Sequence, residues 1–158
     1  MAEFTHVHPD GGVHMVDVSG KSDTIRTAVA VGRVILGEEA FLQVQENTVR
    51  KGDVLSIAQI AGIMGAKETP RLIPLCHQVQ VQGVNVELTL NKADHALDIR
   101  SFAKSVGPTG VEMEALTAVS IAALTVYDMC KSITKDLRIE GIHLLAKTGG
   151  ASGDYLKS

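Results

Sequence analysis

The sequence predicts one α+β domain, an antiparallel sheet with two main helices packed on one face. Three observations carry this. Apolar residues follow strand and helix periods in the order strand, helix, strand, strand, helix, strand. Two of the strands change apolar parity at a glycine. One helical stretch, Ala115 to Tyr127, holds no charged residue and must lie inside protein.

The totals agree. A chain of 158 residues, 45% hydrophobic and 21% charged, is the size of a single domain, read here as 1–158. Aromatic residues make up 3%, with no Trp, so Ile, Val, Leu, Met and Ala must build the core. So few aromatics argue against base-stacking platforms, and no nucleic acid partner is expected. With a net charge of -3, a polyanion must be held by a local basic cluster. Met1-Ala2-Glu3-Phe4-Thr5-His6 offers neither a basic start nor an apolar run, so no signal peptide is expected. No apolar run approaches the roughly 20 residues that cross a bilayer, so no membrane partner is expected. Cys76 and Cys130 are the only cysteines, which suits a cytoplasmic protein without a disulfide framework.

Residues 1–23 are polar, with Pro9-Asp10-Gly11-Gly12 as a turn, and read as a mobile tail, as do residues 148–158. Thr24 to Leu36 is rich in small and β-branched residues, with Thr27, Val29, Val31 and Ile35 on one parity of a strand. Glu38 to Gln45 is a short helix. Asp53 is placed to N-cap a helix over Val54 to Lys67, which Thr69-Pro70 should stop. That helix has a large apolar stripe, Ile57, Ile60 and Met64, and a small one, Ala58, Ala61, Gly62, Gly65 and Ala66, so burial on two sides is expected.

After the Pro74 loop, Val79 and Val81 are apolar at odd positions, whereas Val84, Val86, Leu88 and Leu90 are apolar at even ones. A β-bulge at Gly83 accounts for the switch. Asn91 to His95 reads as a hairpin turn and Ala96 to Val106 as the returning strand. Thr109 and Glu112 fit a capping box opening a helix from Val111 to Lys131. The last strand, Leu137 to Lys147, repeats the parity switch at Gly141. The order is that of a split βαβ, ferredoxin-like sheet.

Each polar residue of interest has an ordinary explanation. Lys67 would favour a helix C-terminus, and Lys51-Gly52-Asp53 would be a turn and cap. Cys76-His77 opens a strand after a loop. Glu112 and Glu114 suit the positive end of a helix. Asp128 and Lys131, three apart, would form a surface pair, although directly after an uncharged helix they could also serve proton transfer. Glu114 and Asp128 lie about 21 Å apart along one helix. If both are functional, either the site is shared between subunits or the ligand is long. His6, His8 and His14 form a cluster of little weight as a metal site, and no metal ligand set is assigned.

In order and at matching spacing, KGDVL, AGIMGAK, LIPLCH, GVEMEALTAVS and YDMCK resemble the cyclic pyranopterin monophosphate synthase family of molybdenum cofactor biosynthesis. The likeness runs from about Met15 to Gly153. It implies a ferredoxin-like lyase subunit in a homohexamer, a trimer of dimers with its site at a subunit interface. The reaction it implies turns a cyclised, dihydro GTP-derived triphosphate into cyclic pyranopterin monophosphate and pyrophosphate. It makes Asp128 the acid/base, with Lys131, Lys67 and Lys51 as catalytic lysines. Leu75, Cys76, His77, Glu112, Met113 and Glu114 then line the substrate pocket, with Arg26 and Lys147 as basic neighbours. Expelling pyrophosphate asks for such ammonium donors. No cofactor is required by these residues, and Mg²⁺ accompanying the triphosphate stays open. Four positions depart from the family pattern. Gln78-Val79 stands for Pro-Leu; Gly65 stands for Ala, which should only loosen its helix; Ala151 stands for Lys. The alternative reading is a ferredoxin-like module that binds a small ligand for regulation, without catalysis. It explains the fold but not the lysines around Asp128.

Overall fold

Small residues along the first strand decide how closely the two layers meet. In the computed structural model, which describes residues 10–158, that strand is β1 (Thr24–Ile35). The other strands are β2 (Val81–Asn91), β3 (Ala96–Gly107), β4 (Arg138–Thr148) and β5 (Tyr155–Leu156), and the helices are α1 (Glu38–Gln45), α2 (Val54–Leu72) and α3 (Glu112–Cys130). All pairings are antiparallel, in the order β2-β3-β1-β4-β5. β1 turns Ala28, Ala30 and Val34, all fully buried, toward the helices. Opposite them, Ala115, Ala118, Val119, Ala122 and Ala123 of α3 are equally buried. By length and composition α3 could cross a membrane; in this fold it is the core helix. The opposite parity of β1, with Thr27, Val29, Val31 and Ile35, lies half-buried on the open face of the sheet.

The expected parity switches are bulges. The β2–β3 register shifts between Val81 and Gly83, and β4 gains a residue against β1 at Gly141, whose φ is 64°. A second β4 shift lies opposite Val29 and Ala30. Leu144, Leu145 and Ala146 are all apolar there, so parity could not reveal it. Residues 148–158, read from sequence as a tail, turn back so that Tyr155 and Leu156 pair with Lys147 and Ala146.

Three expectations are corrected. Pro70 does not end α2, which continues to Leu72. Proline removes the N–H that would bond the Ala66 carbonyl. The Thr69 hydroxyl donates to that carbonyl instead, at 2.9 Å, so the turn survives. The capping box is absent: α3 starts at Glu112, so the N-cap is Val111, whose side chain has no acceptor, rather than Thr109, and Glu112 bonds Lys147 instead. Finally, α2 is buried on one side only. Its small stripe packs on α3, while Ile57, Ile60 and Met64 remain 41%, 58% and 59% exposed.

Gly65 does more than loosen the helix. A Cβ there would stand 2.7 Å from Ile121 Cγ1 and 2.8 Å from its Cβ, inside contact distance. Gly65→Ala should therefore cost about 1–3 kcal/mol, the usual penalty of overpacking. Gly65→Ala and Ile121→Ala together should lose less than their sum, because one clash underlies both. Urea unfolding of the four proteins measures this, and strict additivity would show that the helices separate freely at this point.

Candidate active site

Polar residues gather at the two ends of the α2–α3 pair. At the first end, Gly52 adopts φ 111°, a conformation suited to glycine, and turns the chain so that Asp53 caps α2. Asp53 accepts from the Ser56 N–H at 3.0 Å and from its hydroxyl at 2.7 Å. The same turn directs Lys51 across to the end of α3. Its Nζ donates to Asp128 Oδ2 at 2.7 Å and to the Asp128 carbonyl at 2.8 Å. Lys131 Nζ stands 2.7 Å from the other oxygen, Oδ1. The two lysines thus clamp one carboxylate, Lys131 foremost, and hold Asp128 far below the usual range, at about 2. Lys131 is raised in return, chiefly by its hydrogen bond to Asp128. The group is about half exposed and opens on a cavity of about 420 Å³ lined by Lys51, Tyr127, Lys131, Ser132 and Lys135.

At the second end, a cavity of about 320 Å³ is lined by residues including Leu75, Cys76, His77, Glu112 and Met113. His77 Nε2 is 2.5 Å from the Val16 carbonyl, which ties the entry of the sheet to the N-terminal segment. Lys147 donates to Glu112 at 2.9 Å and to the Ser152 hydroxyl at 3.3 Å. Arg26 spends its donors on the Gly107 and Pro108 carbonyls, at 3.2 and 3.0 Å, and so fixes the loop before α3. Burial pushes the Cys76 thiol up, helped by Glu114 and Glu112, which keeps it protonated rather than nucleophilic.

Glu114 is 1% exposed, and among the described residues its carboxylate oxygens find no partner beyond the residue's own backbone N–H. Burial, with Glu112 nearby, raises it from 4.5 to about 7. An acid raised in the fold stays protonated there while the unfolded chain ionises. Its contribution to stability is therefore complete below pH 4.5 and is lost as pH rises to about 7. Glu114→Gln cannot ionise. Relative to wild type, the variant should gain on the order of 2–3 kcal/mol between pH 4.5 and 8. Unfolding midpoints across that range test this; parallel curves would mean that Glu114 is already ionised in the fold.

The structure thus joins Lys51 to Asp128 and Lys131, and separately lines one cavity with Leu75, Cys76, His77, Glu112 and Met113. Glu114 is buried and not in its wall; Lys147 is tied to it through Glu112, and Arg26 through the loop before α3. Lys67 joins neither group by an ion pair among the described residues. It stands on the exposed side of α2, about 20 Å along the axis from Val54. His6 and His8 lie outside the described residues. A depression of about 670 Å³ on the open face of the sheet holds none of the expected residues. Sequence spacing paired Asp128 with Lys131 and missed Lys51, which is 77 residues away. Lys147 and Glu112 were missed as a pair for the same reason.

The MoaC family model matches residues 15–150. The chain belongs to the MoaC family. A cyclic pyranopterin monophosphate synthase of Salinibacter ruber is 64% identical over 152 residues, 96% of this chain and 89% of that protein. One of Heliobacterium modesticaldum is 51% identical over 157 residues, 99% of each chain. Molybdenum cofactor biosynthesis protein 1 of Homo sapiens is 50% identical over 97% of this chain, which corresponds to 24% of that longer protein. The family match spans both polar ends of the helix pair.

Proposed function

We propose that this chain is a cyclic pyranopterin monophosphate synthase. It converts the cyclised, dihydro GTP-derived triphosphate to cyclic pyranopterin monophosphate and pyrophosphate, an early step of molybdenum cofactor biosynthesis. The observation that carries this reading is Asp128 bonded on both oxygens by Lys51 and Lys131. A regulatory binding module has no use for such a clamp. Closing the cyclic phosphate forms a bond from a substrate hydroxyl oxygen to the α-phosphorus and breaks the bond to the departing pyrophosphate. The hydroxyl proton needs a base, and the leaving group needs cations. At rest Asp128 is a weak base because both ammonium groups bond it. Once phosphate oxygens draw those donors away, the cause of its low pKa is removed and its basicity rises.

We further propose a homohexamer, a trimer of dimers, in which the polar end of one subunit completes the opposite end of its partner. Two apolar faces support this. Ile57, Ile60, Met64 and Leu124 are exposed on the helical side, and Ile25, Phe102 and Val106 on the open side of the sheet. A dihedral hexamer needs two kinds of contact, and these faces supply them. Free thiols at Cys76 and Cys130 suit a cytoplasmic setting. Purified protein given the cyclised triphosphate should release pyrophosphate and cyclic pyranopterin monophosphate in equal amounts. Stoichiometric binding without product would favour the regulatory module.

A further inference from the structure

Beside the Asp128 clamp, the cavity lined by Lys51, Tyr127, Lys131, Ser132 and Lys135 has no acidic side chain in its wall. Asp128 is the one carboxylate paired with these lysines among the described residues, and both its oxygens are taken. Lys135 stands on the rim shared with a neighbouring depression that carries Glu38, Glu39 and Asp136. Lys135 forms no ion pair with any of these acids among the described residues. On the wall of this cavity three ammonium groups therefore face the one carboxylate of Asp128, with the three acids on the far side of the Lys135 rim, in a chain whose net charge is -3. A local excess of positive charge on a net-negative protein is a site for a polyanion. A lysine without a partner and a hydroxyl on the same wall are the groups that hold phosphate oxygens.

We infer that Lys135, with Ser132, forms the subsite for the terminal phosphates of the substrate, the pair that departs as pyrophosphate. The inference rests on the proposed reaction for the identity of the anion, and on the cavity for its place. Lys51 and Lys131 then face the α-phosphorus beside Asp128, while Lys135 holds the leaving end farther out. Lys135 is a binding residue that positions the leaving group and takes no part in proton transfer.

The experiment is titration calorimetry of the full chain with inorganic pyrophosphate, together with initial rates over a range of substrate concentrations. Lys135→Gln should weaken pyrophosphate binding about tenfold, as loss of one charged hydrogen bond does. KM should rise by a similar factor and kcat fall by a smaller one. Lys135→Arg should restore most of the affinity. Lys92→Gln, in the β2–β3 turn, makes the same change of charge and should bind as wild type does. Wild-type affinity in Lys135→Gln, or a loss equalled by Lys92→Gln, would overturn the inference. So would failure of the wild-type chain to bind pyrophosphate. If wild type binds pyrophosphate through Lys135 but makes no product, the subsite stands and the proposed reaction fails.

Discussion

Asp128→Asn is expected to fold, assemble and bind substrate while losing at least about a hundredfold in rate, the lower range for removal of a general acid or base. Asparagine keeps the shape and one acceptor oxygen for the lysines, but it cannot take a proton. Lys131→Gln removes the ammonium at similar length and should fall by a comparable factor. The competing account is a surface ion pair. Lys51, Asp128 and Lys131 are all about half exposed, and pairs of that kind contribute little to stability. That account predicts unchanged turnover, so rate separates the two readings and stability does not. A further consequence concerns pH. Asp128 rests at about 2 because two lysines bond it, so the free protein keeps its carboxylate throughout the neutral range. Loss of kcat/KM in mild acid, which reports the free protein, would then come from other groups. Near-normal turnover by Asp128→Asn would refute the catalytic assignment.

Much of this was legible in the sequence, and the exceptions share a physical cause. Periodicity gave every element from β1 to β4 within a few residues, because burial on one face writes itself into spacing. Gly83 and Gly141 were found because a bulge flips parity, and the bulge near Leu145 was missed because both parities there are apolar. Pro70 misled because its cost was judged from the backbone alone, without the Thr69 hydroxyl that replaces its N–H. Spacing is silent about pairs far apart in the chain. It showed Asp128 beside Lys131 and could not show Lys51 reaching across from the turn at Gly52. Lys135 lies beyond the end of α3, where periodicity carries no signal, and only the cavity gives it a use. The stripes of α2 were read correctly as apolar, but a single chain leaves the larger one exposed.

That exposed stripe leads to the second large effect. Chains carrying Asp128→Asn and chains carrying His77→Ala, each expected to be almost inactive alone, should recover about a quarter of wild-type activity when co-expressed. The reasoning is counting on a two-fold dimer. If each site takes Asp128 from one subunit and His77 from the other, half of randomly formed dimers are mixed. In a mixed dimer one site carries both substitutions and the other carries neither. One site in four is then intact. Co-expression of Asp128→Asn with Lys131→Gln is the control. Both residues come from the same end of α3, so every site in a mixed dimer still carries one substitution and no activity should return. The geometry asks for this outcome: Glu114 and Asp128 are about 21 Å apart on one helix, too far to meet around the reacting atoms of one small ligand. Two tags allow mixed oligomers to be purified, and light scattering checks that they remain assembled. If the mixed Asp128→Asn and His77→Ala oligomer stays as inactive as its parents, the site belongs to one subunit. The two ends of the helix pair would then have to serve separate tasks.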